Sequence, residues 1–138
     1  MDERGYTADL LTRHGVAFIE RNRDRPFFLY LAHLAIHFPW QGPGDPPHRT
    51  AARDYEDDKW GVIPDPGNVA PHVRAMVESL DSGVGAIIAA LQRLGLDRRT
   101  LVFFTSDNGG YLNYGPKFRR ISSNGPLRGQ KAELFEGG

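Results

Sequence analysis

The run Ser106-Asp107-Asn108-Gly109-Gly110 sets a carboxylate beside a carboxamide directly after the apolar stretch Leu101-Val102-Phe103-Phe104-Thr105. Oxygen donors carrying one formal negative charge suit a hard cation such as Ca²⁺ or Mg²⁺, and open α/β sheets gather ligand chemistry beyond the carboxyl ends of their strands. The same residues also make an ordinary tight turn, because Asn and Gly adopt positive φ at little cost. His33 and His37 stand four residues apart, a spacing that on a helix makes a metal pair. Their context is a strand followed by a loop, and Pro39 disfavours helix there. At a strand exit His37 can instead donate a hydrogen bond to an anion or protonate a leaving oxygen, while His33, nearer the strand, reads as packed. His14, His48 and His72 have no comparable setting and read as structural or solvated. In Asn124-Gly125-Pro126-Leu127-Arg128-Gly129-Gln130-Lys131 the glycines and lysine lack the P-loop spacing. A lysine on a glycine-bounded loop is either a point charge for a tetrahedral oxyanion or a solvated surface cation. Arg119 and Arg120 read as solvated.

These groups need elements to hold them. Thr7 can cap a helix from Ala8 to about Arg21, with Asp9 in its first turn and Leu10, Leu11, Ala17 and Phe18 near helical spacing. After Pro26, the run Phe27-Phe28-Leu29-Tyr30-Leu31-Ala32 is continuously apolar, the pattern of a strand covered on both faces. From His33 to about Asn68, Pro39, Pro43, Pro46, Pro47, Pro64 and Pro66 prevent regular structure, and loops this long are uncommon unless functional. A second helix begins near Val69, tolerates Pro71 in its first turn, and runs to a stop at Gly95. At 1.5 Å per residue it would span about 37 Å, so either Gly83 and Gly85 break it or it crosses a larger body. The second strand is Thr100 to Thr105. Strand, long loop, helix and strand in that order make a βαβ-type crossover and imply a parallel pair. Two central strands do not complete a doubly covered sheet, which suggests a piece of something larger.

Bulk properties exclude several function classes. The chain has 138 residues, 40% apolar and 11% aromatic, enough for one folded domain. Lys plus Arg and Asp plus Glu both number 17, so no net field favours nucleic acid or an anionic membrane, and any anion site must be local. No apolar run approaches the roughly 20 residues of a membrane span, and the first residues lack the regions of a secretory signal. There is no cysteine, hence no disulfide, zinc thiolate or cysteine nucleophile.

Five blocks in order carry a resemblance: Pro26-Phe-Phe-Leu-Tyr-Leu-Ala, Ile36-His-Phe-Pro-Trp-Gln-Gly-Pro43, Leu80-Asp-Ser-Gly-Val-Gly85, Thr100-Leu-Val-Phe-Phe-Thr-Ser-Asp-Asn-Gly-Gly110 and Pro126-Leu-Arg-Gly-Gln-Lys-Ala-Glu-Leu-Phe-Glu-Gly-Gly138. Together they resemble the arylsulfatase-type sulfatases of the alkaline-phosphatase-like superfamily. The resemblance implies an α/β fold, part of the alkaline-phosphatase-like architecture, with a mostly parallel sheet flanked by helices. It implies hydrolysis of sulfate esters by a formylglycine nucleophile with Ca²⁺, or Mg²⁺ in its place. By position, Asp107 and Asn108 match the family's late pair of metal ligands, Lys131 the lysine that contacts the sulfate, and His37 the histidine that hydrogen-bonds the sulfate or its bridging oxygen. Asp81, Arg128, Glu136 and the closing glycines match architectural positions.

Departures limit the carry-over. The chain has neither a cysteine nor a Ser-x-Pro-x-Arg motif, so the residue that becomes formylglycine is missing. The family's early Asp-Asp pair and middle Lys and His are missing too. Gln130 and Ala132 stand where the family often has glycines around the lysine. Residues 1–138 are thus expected to be the central part of a sulfatase catalytic domain, truncated at both ends and inactive alone. The partner expected of the full-length parent is a sulfated small molecule or glycan, with variable loops such as residues 41 to 68 reading its remainder. The family's compartments are periplasmic, secreted or lysosomal. A phosphoesterase or phosphonate hydrolase of the same superfamily and a non-catalytic binding module stand as alternatives.

Overall fold

In a computed structural model, residues 3–46, 67–116 and 118–138 are described, and their contacts divide the chain into two compact units. The first comprises Met1–His37 and Met76–Phe103, the second Phe38–Ala75 and Phe104–Gly138. Residues 47–66, including His48 and most of the 41 to 68 loop, lie outside the described residues.

Two helices dominate the first unit. Helix α1 is Thr7–Asn22 and helix α2 is Ala70–Arg93, of which the part from Met76 belongs here. Thr7 is the first helical residue rather than the cap; Tyr6 holds the N-cap position in extended conformation, with no side-chain capping bond. Asp9 in the first turn of α1 instead accepts a hydrogen bond from the Ser79 hydroxyl of α2 at 3.1 Å, and Arg93 of α2 donates to Glu20 of α1 at 2.8 Å. Between these contacts Ile19, Leu91 and Leu96 are buried, with Phe27, Leu29, Ile87 and Leu94 packed around them. Each such aliphatic side chain contributes about 1.5–3 kcal/mol relative to exposure.

Gly83 and Gly85 do not break α2, which runs unbroken for 24 residues. Gly83 is buried, and a Cβ there would collide with the Thr12 hydroxyl of α1, so glycine permits the close approach of the two helices. Gly85 is exposed and faces nothing within 4 Å. The stop at Gly95 is as expected. With φ at +65° it lets the Leu96 amide donate to Leu91 and its own amide to Gln92, at 2.8 and 3.0 Å, the paired bonds of a Schellman ending.

The two expected strands are not formed as a sheet. Residues 27–34 carry no regular structure and alternate in exposure, Phe27 and Leu29 packing on the helices while Phe28 and Tyr30 are 88% and 78% exposed. Residues 100–106 likewise carry no regular structure, and Leu101, Phe103 and Phe104 are 79%, 83% and 70% exposed, contrary to the expectation of a buried strand. A strand covered on both faces needs a neighbour on each edge and a layer on each side; among the described residues helices supply one layer for 27–34 and no ladder forms. The single bridge among those residues is Tyr114 to Phe118, antiparallel, in the second unit.

Outside the start of α2, the described residues of that unit are irregular backbone with aromatic contacts. Trp40 is buried between Phe38 and Phe118, with ring centroids at 5.5 Å on both sides and edge-on geometry. The segment after Trp40 is fastened to the first turn of α2. Asp45 accepts both from the Gly42 amide at 2.6 Å and from His72 Nδ1 at 2.7 Å, while Gly42 leaves no room for a Cβ against Ala75. His72, which its sequence setting did not distinguish, is therefore half of a partly buried hydrogen-bonded pair.

The contrast between the two glycines is open to measurement. Gly85→Ala should stabilise the chain by about 0.5–1 kcal/mol through helix propensity. Gly83→Ala should destabilise it by about 1–3 kcal/mol through overpacking, with part of that recovered when Thr12 is also replaced by alanine. Denaturant midpoints of the variants read both signs.

Candidate active site

Three of the four residues singled out for chemistry fall in the second unit. Asp107 is exposed and Asn108 half-buried, in the bend that follows residues 100–106. The Ser106 hydroxyl donates to the Asn108 carbonyl at 2.7 Å, closing the turn, and the Asn108 amide donates to Asp107 Oδ1 at 2.8 Å, which holds the two side chains together. Gly109 then passes so close to the Gly137 carbonyl that no side chain could be accommodated, and its amide donates to the Gly138 carbonyl at 2.9 Å. The metal-ligand candidates thus sit on a turn sewn to the far end of the chain.

Lys131 belongs to the same knot. Its amide donates to the Gly110 carbonyl at 3.2 Å, and its ammonium lies 5.8 Å from the Tyr111 ring centroid, over the face, where the ring quadrupole attracts a cation. No carboxylate pairs with that ammonium among the described residues, so its charge is available to an anion. Gln130 explains how a long side chain stands where glycine was expected: its Oε1 accepts from the amides of Leu112 and Asn113 at 2.9 and 3.0 Å, so the side chain anchors the loop. Ala132 does depart from ease, adopting φ of +74°, a left-handed conformation that costs an L-residue with a Cβ about 1–2 kcal/mol. Arg128 and Glu136, expected to be architectural, pair at 3.6 Å, and the Arg128 guanidinium stacks 4.2 Å from the Phe135 ring centroid.

His37 closes the first unit. It is exposed after the turn at residues 35–36, its amide donating to the Leu34 carbonyl at 2.8 Å, and the peptides Ala35–Ile36 and Phe38–Pro39 on either side of it are cis. Neither His33 nor His37 lies on a helix, which removes the helical metal-pair geometry. His33 is packed, its Nδ1 buried without a partner, and burial holds its pKa below the ordinary 6.5. His14 is a surface residue whose Nε2 lies 2.8 Å from Glu3.

The donors present fit a hard cation in kind. Asp107 and Asn108 offer carboxylate and amide oxygens, but no cluster of three or more His, Cys, Asp or Glu side chains occurs among the described residues. Against the 6–8 oxygens that Ca²⁺ takes, this chain provides part of a shell. Asn124 was not marked as a site residue by its sequence setting, although it carries more hydrogen bonds to these loops than any residue within them. A lone Asn before Gly-Pro reads as a turn former, and only the fold reveals its partners.

Comparison with known proteins follows the same outline. The family described as Sulfatase matches residues 2–138. The chain is 37% identical over 130 residues to the steryl-sulfatase of Mus musculus, covering 93% of this chain and 18% of that protein. It is 34% identical over 131 residues to the N-acetylgalactosamine-6-sulfatase of Mus musculus, covering 94% and 21%. A crystal structure of Ps i-CgsB in complex with k-i-k-neocarrahexaose superimposes with a TM-score of 0.72 at 33% identity, over 100% of this chain and 27% of that one. The chain therefore spans about a fifth of the length of the curated relatives it matches.

Two outcomes are expected from the local geometry. Ala132→Gly should raise the unfolding free energy by up to about 1 kcal/mol, since it removes the left-handed strain; a loss of stability would show that the methyl packs favourably. Because His33 is held neutral in the folded state, the unfolded chain binds more protons below the ordinary value, so stability falls as pH drops through 6.5 toward the lower folded value. Urea titrations of His33→Phe across that range should show a flatter acid limb than the parent.

Proposed function

The chain belongs to the sulfatase family, and from that premise we propose that it supplies part of the metal and sulfate-binding site of an enzyme hydrolysing sulfate esters. The observation carrying this reading is the direct bond between the two candidate groups' loops: the Lys131 amide on the Gly110 carbonyl, two residues beyond Asn108. A cation held at Asp107 and Asn108, Ca²⁺ or Mg²⁺ in its place, would supply positive charge to an oxyanion. Lys131 offers a second positive charge, uncompensated by any described carboxylate, and orients a tetrahedral sulfate through its three donors. His37, an exposed imidazole, is the group that can hydrogen-bond the bridging oxygen and deliver a proton to the departing alcohol. Such preorganised charge acts where negative charge redistributes as the S–O bond breaks.

Formylglycine does not fit the residues present: there is no cysteine and no Ser-x-Pro-x-Arg in the 138 residues, so no step is assigned to it here. The bare apolar faces of residues 27–34 and 100–106 support a parent in which neighbouring strands complete a mostly parallel, alkaline-phosphatase-like sheet. Relatives named for a steryl ester and a glycan unit support a sulfated small molecule or a sulfated glycan as substrate. No helix among the described residues is long and apolar enough to cross a membrane.

In the parent enzyme carrying this segment, Lys131→Ala should lower kcat/KM toward an aryl sulfate by about 10²–10³-fold. Asp107→Ala should abolish turnover that a chelator also abolishes in the parent and Ca²⁺ restores. Paired assays on aryl sulfate and aryl phosphate check the class: a preference for phosphate, or turnover indifferent to chelation, contradicts the reading.

A further inference from the structure

Gly110 has both its peptide groups paired with a single side chain. The Gly110 amide donates to Asn124 Oδ1 at 3.0 Å, and Asn124 Nδ2 donates back to the Gly110 carbonyl at 3.0 Å, so the carboxamide substitutes for a neighbouring strand's peptide. The same nitrogen also lies 3.0 Å from the carbonyls of Gly129 and Gly137. A primary amide has two N–H groups, so three carbonyls share them. Those carbonyls belong to three different stretches: the turn carrying Asp107 and Asn108, the loop entering Gln130 and Lys131, and the closing Gly-Gly pair. The Gly137 amide in turn donates to Arg128 at 2.8 Å, and Gly138 accepts from Gly109. The packing leaves no slack, since a Cβ on Gly110 would lie 2.7 Å from Ser122 Oγ and 3.3 Å from Asn124 Oδ1.

The geometry assigns Asn124 as a positioning residue that fixes the metal-ligand turn and the sulfate lysine in one register, so that ordering of either is transmitted to the other. This rests on the roles proposed above for Asp107, Asn108 and Lys131. The chemistry demands an amide. Aspartate presents acceptors only and would set a carboxylate against three carbonyls, alanine offers nothing, and a hydroxyl has one hydrogen for three acceptors. Asn124 touches neither ligand nor substrate in this role; it acts through backbone.

Hydrogen–deuterium exchange on the parent sulfatase, read by mass spectrometry, tests the coupling apart from activity. In the unsubstituted enzyme, Ca²⁺ should slow exchange in residues 128–138 as well as in 107–113. Asn124→Ala and Asn124→Asp should speed exchange in both stretches together, at least tenfold, with α1 unchanged. They should also raise the half-saturating Ca²⁺ concentration about tenfold and lower kcat more than they raise KM. Ser122→Ala, which removes a hydroxyl bonded to Tyr111, should leave residues 128–138 as they are. Protection by Ca²⁺ confined to 107–113, or loosening of one stretch without the other in the Asn124 variants, overturns the inference. If neither variant folds, the Ca²⁺ response of the unsubstituted enzyme decides alone. Should that enzyme prefer phosphate esters, the sulfatase reading fails while the exchange experiment still decides the coupling. Should it bind no Ca²⁺, joint loosening in the Asn124 variants supports the register and separate loosening refutes it.

Discussion

Buried peptide groups nearly always find a partner, and among the described residues of 104–138 that need is met without a ladder. One antiparallel bridge, Tyr114 to Phe118, is the regular contribution. The remainder falls to side-chain amides and to carbonyls approached by glycine. Asn124 serves Gly110, Gly129 and Gly137, and Gln130 serves Leu112 and Asn113. Glycine at 109 and 137 follows from the same constraint, since each passes against a carbonyl where a Cβ has no room. Loops fastened in this way can hold a ligand turn and a lysine without sheet structure of their own. That is a means of preorganising charge before substrate arrives.

The first unit obeys a different rule. Two helices bury one stripe each against Ile19, Leu91 and Leu96, and the glycine at position 83 sets how near they come. The segment after α1 then covers part of the same core with Phe27 and Leu29 while turning Phe28 and Tyr30 outward. Soluble proteins seldom leave contiguous apolar surface of this kind uncovered. Among the described residues neither segment forms a ladder, since a strand's hydrogen bonds belong to its neighbours.

Much of the outline was legible in the residues. Both helices, their approximate bounds and the stop at Gly95 follow from apolar periodicity and capping chemistry, which are local. The position of Thr7 was misread because a good capping residue competes with its neighbours for that place, and here Tyr6 takes it. By residue type alone Asp107 and Asn108 also read as a tight turn and Lys131 as a surface cation; the resemblance to sulfatases is what singles them out. Asn124, Gln130 and the His72–Asp45 pair could not be named in advance. Their significance lies in partners 5 to 27 residues away, and no local pattern encodes that distance.

The sequence by itself determined the family, through five ordered blocks, and the kinds of donor available: oxygens at 107 and 108, a cation at 131, an imidazole at 37. It also determined which positions had to be free of side chains, without saying against what. Tertiary structure alone decided that Asn124 bonds the backbone at Gly110, Gly129 and Gly137, that Gln130 replaces an expected glycine by anchoring Leu112 and Asn113, and that α2 passes Gly83 intact. The reason is physical: residue type fixes what a group can bond to, while only the folded path brings an amide 14 residues along the chain to within 3.0 Å of the peptide it serves.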